Sequence, residues 1–264
     1  MAAERARSSA PVRGMRSAFV SFSRLPLGGF PYQAAEWRWA PAHLPLVGVV
    51  VGALAAGIWR LCHAAGLSPL LAATLALAAS ALATGAMHED GLADAADGLG
   101  GGNDPARILA IMKDSRIGSY GALALGSSLL ARTAATASLS SVEWFVLLQV
   151  HCLARLGPVR LMLSEPYVSD PESARSPHFL PIGRAQLAVA LTWTLCCTAL
   201  GVLTGYLPWS TAAWMFVVLA LLSAASARYF RKALGGITGD LLGALEQVSE
   251  LALLLTYLIC RGSS

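Results

Sequence analysis

Seven stretches in which apolar positions run almost unbroken dominate the chain, at residues 44–65, 69–87, 117–139, 142–163, 185–207, 209–227 and 241–260. Each approaches the roughly 20 residues that a helix needs to cross a hydrocarbon layer. The pattern predicts an all-α, polytopic integral membrane helix bundle of about seven transmembrane helices. Short connections at residues 66–68, 140–141 and around Pro208 alternate with long polar ones. Ahead of the first run, Met15, Ala18, Phe19 and Phe22 recur three and four residues apart, opposite Arg16, Ser21 and Arg24. That spacing describes a short amphipathic helix in the membrane interface, stopped near Pro26. Its role is to anchor the chain or to close over a site. Residues 1–14, Arg- and Ser-rich with no apolar centre, read as a disordered extension and not as a signal peptide. Residues 15–264 then form one membrane-embedded domain.

Composition agrees. Hydrophobic residues make up 56% of the chain and charged residues 13%, about half the charged share of soluble domains. A soluble single domain, a disordered chain and a disulfide scaffold are excluded. The five cysteines lie in apolar runs without a CxxC and read as small buried hydrophobes. Fifteen of the 19 Lys and Arg residues precede the first run or border the long connections, and the short connections carry none. The positive-inside rule places the N-terminus and the long connections in the cytoplasm, with the C-terminus opposite if the span count is odd. A multi-pass membrane protein, with the lipid bilayer as its solvent and no nucleic-acid partner, is expected.

The scarce acids are concentrated. Glu89, Asp90, Asp94 and Asp97 fall within nine residues that contain no Lys or Arg, directly after the second apolar run. On a helix Asp94 and Asp97 lie about 40° and about −20° from Asp90, so the three share one face. Glu89 lies to one side and His88 on the far face, where it serves structure or supports a ligand. Like charges so close repel one another, and a divalent cation relieves that repulsion. All-oxygen donors favour Mg²⁺, Mn²⁺ or Ca²⁺ over Zn²⁺, and a helical face that leaves room for water and phosphate suits Mg²⁺ best. The expected metal ligands are Asp90, Asp94 and Asp97; a solvated acidic loop is the alternative.

Phosphate-binding groups follow. Gly91 and Gly98 leave space for a phosphate or for a neighbouring helix. Arg107, Lys113, Ser115 and Arg116 gather before the third run with Asp114, which completes the metal site or acts as base. Arg107 could equally be a topological charge. Arg132, His151, Arg155 and Arg160 lie within spans, where charge marks a functional site or pairs with Glu246 or Glu250. The connection between residues 163 and 179 reads as a Pro- and Ser-rich lid. Residues 235–244 are Gly-rich and carry Asp240, which forms a second half-site for phosphate or metal, or caps the last helix.

The blocks His88-Glu89-Asp90-Gly91-Leu92-Ala93-Asp94-Ala95-Ala96-Asp97-Gly98 and Ile111-Met112-Lys113-Asp114-Ser115-Arg116-Ile117-Gly118 together resemble the cobalamin synthase (adenosylcobinamide-GDP ribazoletransferase) family. Ser23-Arg24-Leu25-Pro26, Pro45-Leu46-Val47-Gly48 and residues 235–244 support the resemblance, which runs from about Arg16 to Cys260. It implies an Mg²⁺-dependent transfer of the cobinamide phosphoryl group from adenosylcobinamide-GDP to α-ribazole or its 5′-phosphate, releasing GMP. A homo-oligomer, or association with other corrinoid-assembly enzymes, is compatible with it. In that reaction Asp90, Asp94 and Asp97 hold metal and Asp97 or Asp114 takes the hydroxyl proton. Lys113, Arg116 and Arg107 hold outer phosphate oxygens. The competing readings are a CDP-alcohol type phosphotransferase, to which the Lys113–Arg116 block is foreign, and a cation-coupled transporter, which would place its acids mid-span.

Overall fold

The computed structural model describes residues 10–25, 34–168 and 182–262. The first helix, α1 (Ala10–Phe22), is amphipathic as expected but begins at Ala10, so residues 10–14, expected in the disordered extension, are helical. Residues 1–9 lie outside the described residues, as do Arg175, His178 and Phe179 of the expected lid. After the short α2 (Ala34–Trp37) and a 3₁₀ turn (Ala40–His43) come α3 (Leu44–Ala64) and α4 (Pro69–Thr84). The acidic α5 (Met87–Gly101) and α6 (Pro105–Met112) lead to α7 (Ser119–Ala137). Then follow α8 (Phe145–Ala154), α9 (Leu156–Ser164), α10 (Arg184–Leu203), α11 (Trp209–Leu234) and α12 (Gly239–Gly262).

Five helical segments are long and apolar enough to cross a membrane: Ala35–Ala64, Phe145–Ser164, Arg184–Leu203, Trp209–Leu234 and Gly239–Gly262. A sixth crossing results if α4 and α5, bent by 90°, are taken as one span. Length and composition thus support five or six crossings where seven were expected. The run at 117–139 forms α7, but Ser127, Ser128, Arg132, Thr133 and Thr136 dilute its apolar character.

Two irregularities shape the bundle. Between α4 and α5 both Gly85 and Ala86 adopt left-handed backbone, with φ of 70° and 56°. Ala86 is the one non-glycine with positive φ among the described residues, and such a conformation costs on the order of 1 kcal/mol. The bend is braced by Arg24, whose N–H donates to Ala83 O at 2.7 Å and whose guanidinium covers Gly85. The second irregularity separates α8 from α9 at Arg155, where Pro158 cannot donate the hydrogen bond that would continue the helix. This broken crossing is the most enclosed of the five, in keeping with its charged side chains.

Close packing of α3 on α8 rests on Gly48 and Gly52, four residues apart. A Cβ at either would strike the α8 backbone, at His151 O and Leu147 O respectively. Small residues at this spacing let membrane helices approach. The apolar face of α1 packs through Ala18 and Phe19 onto Trp37, Ala40, Val47 and Val51. His43 fastens it: Trp193 Nε1 donates to Nδ1 at 3.1 Å, leaving Nε2 to donate to Pro11 O at 2.9 Å. Among the cysteines, Cys62, Cys152 and Cys197 are buried, as expected, and Cys196 is exposed.

Candidate active site

The acidic helix α5 packs against α12, α7 and α6. Its crossing with α12 is tight because both partners are glycine there. A Cβ on Gly91 would lie 3.0 Å from Asp240 O, and one on Gly243 would lie 3.3 Å from the His88 Cα. Gly98 meets Met112 of α6, with only 2.6 Å from a Cβ to Cγ. Beside both Gly91 and Gly98 the structure puts a neighbouring helix, in place of the open space for phosphate that was the other expectation.

This packing divides the acids. Asp90 is exposed, Asp94 and Asp240 are half-buried, and none of the three pairs with a Lys or Arg among the described residues. Asp90, Asp240 and Asp97 all act on Asp94 as like charges. Asp97 points elsewhere. Its carboxylate accepts the N–H of Gly118 at 2.6 Å and of Gly121 at 2.8 Å, closing the first turn of α7. A Cβ at either glycine would collide with that carboxylate. With both oxygens engaged, Asp97 is a helix cap and a poor general base. Asp114 is no better suited. Two hydrogen bonds from the Arg116 side chain, at 2.7 and 3.0 Å, hold its pKa down to about 2.

Asp90, Asp240, His88, Arg155 and Glu246 line a cavity of about 440 Å³ between α1, the 3₁₀ turn, α9, α5 and α12. Ser21 and Phe22 of α1 also line it, so the amphipathic helix borders the cavity. Arg107, Lys113, Ser115 and Arg116 lie outside this cavity, exposed along α6 and the turn into α7. The Gly-rich segment before α12 is also committed. Ile237 N–H donates to Pro166 O at 2.9 Å, and Gly239 N–H donates to Tyr167 Oη at 3.0 Å. Thr238 caps α12 through Leu241 N–H, which releases Asp240 from the capping role. The start of the expected lid is tied down too: Arg231 makes paired bonds to Glu165 at 2.6 and 2.8 Å, holding the Glu165 pKa below its ordinary range.

Beside the cavity lies a buried ionic network. Arg132 of α7 contacts Glu250, Gln247 and, at 3.6 Å, Glu89. Arg155 reaches Glu246 at 2.9 Å and Glu250 at 3.3 Å, and donates to His151 O at 2.8 Å. His151 contacts Glu250, and His88 lies 3.6 Å from Glu246. Of the two readings of the intramembrane charges, ion pairing holds for Arg132 and Arg155, while Arg160 is exposed and donates to Ala220 O at 3.3 Å. His151, Glu246 and Glu250 bring ligand atoms within 4.8 Å of one another and could hold a metal ion. Both carboxylates already face an arginine, so this group lacks the unneutralised charge that distinguishes Asp90, Asp94 and Asp240. The Glu89–Arg132 pair and the Asp97 cap escaped sequence reasoning; Gly118 and Gly121, three apart at a helix start, were the available signal for the cap.

Fold and site together define a polytopic α-helical membrane protein whose uncompensated aspartates border a cavity. The chain belongs to the cobalamin-5-phosphate synthase family, whose model matches residues 14–258. It is 38% identical over 271 residues to an adenosylcobinamide-GDP ribazoletransferase of Polaromonas sp., covering 91% of this chain and 94% of the relative. The proteins of that name from Leptothrix cholodnii and Bradyrhizobium diazoefficiens are 41% and 40% identical over 252 residues, covering 90% and 92% of this chain and 91% and 92% of theirs. No solved structure matches the chain. The resemblance carried by the His88–Gly98 and Ile111–Gly118 blocks is borne out.

Proposed function

We propose that the chain transfers the cobinamide phosphoryl group of adenosylcobinamide-GDP to a ribose hydroxyl of α-ribazole or its 5′-phosphate. The products are adenosylcobalamin, or its 5′-phosphate, and GMP, as the name shared by its relatives implies. The hydroxyl oxygen bonds to the phosphorus carrying cobinamide, the bond from that phosphorus to the GMP oxygen breaks, and GMP leaves with the electron pair. The observation that carries this reading is the meeting of Asp90 and Asp240 at the cavity, with Asp94 near enough to feel their charge and none of the three paired with a Lys or Arg among the described residues.

Asp90 and Asp94, one turn apart on α5, would hold Mg²⁺; their all-oxygen, uncompensated charge fits a hard divalent ion. When bound, the ion neutralises phosphate charge and stabilises the departing oxygen. Asp240, freed from capping and facing the cavity from α12, takes the hydroxyl proton. That role passes to it because the oxygens of Asp97 and Asp114 are engaged. Arg107, Lys113, Ser115 and Arg116 would meet outer phosphate oxygens from the α6–α7 surface, and Arg155 would steady the polar side of the cavity. The family resemblance supports placement in the inner membrane, and the cation distribution supports a cytoplasmic position for this face.

Protein purified into nanodiscs and given both substrates with Mg²⁺ is expected to release GMP, and EDTA to stop it. Absence of GMP with both ribazole forms would overturn the reading.

A further inference from the structure

The cavity between α1 and α5 has walls of two kinds. Phe22, Trp37, Ala40, Pro41 and Leu44, from α1 through the start of α3, are apolar. The opposing elements α5 and α12 supply Asp90 and Asp240. Arg155, buried with 2% exposure, also lines the space, and its Nε–H has no hydrogen-bond partner among the described residues. A buried donor left unpaired is costly, so a polar ligand atom near it would be rewarded. At about 440 Å³ the cavity falls among small-molecule sites.

Resting on the reaction proposed above, we infer that this cavity is the acceptor subsite. It takes the planar, methylated benzimidazole of ribazole against its apolar wall and turns the ribose toward Asp90 and Asp240. The alternative occupants fit less well. Guanine carries several ring-edge donors and acceptors; the apolar wall offers them only Ser21, and Asp90 and Asp240 opposite are committed to metal and proton in the proposed reaction, so its burial would leave polar atoms unpaired. The corrin macrocycle with its nucleotide is far larger than one small heterocycle and belongs outside, toward the exposed Arg107 and Lys113. A base whose edge is hydrocarbon and whose sugar is polar matches a cavity with the same division. The amphipathic helix then works as the roof of a nucleoside site, and Phe22 and Trp37 determine which base is accepted.

Two variants with opposite effects on the space test this. Met162→Trp narrows the cavity, and Phe22→Ala removes an aromatic wall. Loss of one aromatic contact, worth about 0.5–1.5 kcal/mol, should weaken ribazole binding by about 3–10-fold in Phe22→Ala. Overfilling in Met162→Trp should weaken it by about tenfold or more. Both are read by calorimetry on nanodisc protein without donor, and again as the KM for ribazole with the KM for adenosylcobinamide-GDP within about twofold of wild type. Far-UV circular dichroism and elution volume confirm that each variant is folded; if one is not, the other carries the test. Unchanged ribazole affinity in a folded variant, or a raised KM for the corrinoid alone, would overturn the assignment. Because binding is read without turnover, its failure is separable from a failure to release GMP.

Discussion

Glu89 and Asp90 are neighbours on α5, and Asp240 and Glu246 are less than two turns apart on α12, yet each pair is divided between two environments. Glu89 and Glu246 join Glu250 in a buried network where Arg132 and Arg155 sit against the carboxylates. Asp90 and Asp240 turn to a cavity in which neither pairs with a cation among the described residues, because Arg155 on its wall is engaged by Glu246 and Glu250. The same residue chemistry on the same two helices therefore does two jobs. Acids matched by arginine tie four elements together, and unmatched acids keep charge available for a metal or substrate. Breaking one set should cost stability, and breaking the other should cost turnover.

The largest expected effect lies in the open set. Asp94→Asn should lower GMP formation by about 10³ or more, the several kcal/mol that charge stabilisation at a metal supplies. The thermal midpoint of the metal-free variant should not fall, because the substitution removes repulsion from Asp90, Asp240 and Asp97. Near-normal activity would sink the metal assignment. Added Mg²⁺ should raise the midpoint of wild type and not of Asp94→Asn.

In the buried set, Glu250→Ala takes a carboxylate from Arg132 and Arg155, leaving Glu89 and Gln247 to the first and Glu246 to the second, and should cost up to about 3–5 kcal/mol of stability, measured by denaturation in detergent. Replacing Glu250 and Arg132 together by Leu and Met should recover part of that loss, since a buried pair is often no better than apolar packing, although Glu89 then keeps no arginine. No recovery in the double variant would show that the network holds more than paired charge. Gly118→Ala pushes a methyl into the Asp97 carboxylate and loosens the start of α7. We expect a loss of about 1–3 kcal/mol, comparable to leaving a buried acceptor unpaired.

The smallest effect is expected at the Glu165–Arg231 pair, whose arginine is exposed to solvent. Because Arg231 depresses the folded-state pKa of Glu165, the pair contributes above the ordinary glutamate range and is lost as pH falls through the depressed value. The difference in midpoint between wild type and Arg231→Ala should therefore close on acidification. A difference that persists at low pH would mean that Arg231 acts through something other than this carboxylate.

Much of the helix content was legible because apolar runs announce themselves. The run at 44–65 became Leu44–Ala64, and the run at 209–227 became the start of Trp209–Leu234. The family was legible from the acidic block and the Lys113-Asp114-Ser115-Arg116 block. Helical periodicity put Asp90, Asp94 and Asp97 on one face, but it could not show that Asp97 would be claimed by N–H groups at the start of α7, 21 and 24 residues on. The 90° bend depends on Ala86 holding a left-handed backbone that an alanine seldom adopts, and nothing in its local sequence demands it.

By itself the sequence determined that this is an apolar, helical membrane chain with its acids crowded after one run, because composition and periodicity are local properties. Which acids would be neutralised was decided only in the tertiary structure. Arg132 and Arg155 lie far along the chain from Glu89, and α7, α8 and α12 had to assemble before these charges could meet. Charge pairing depends on distances across helices, and periodicity along a helix does not contain those distances.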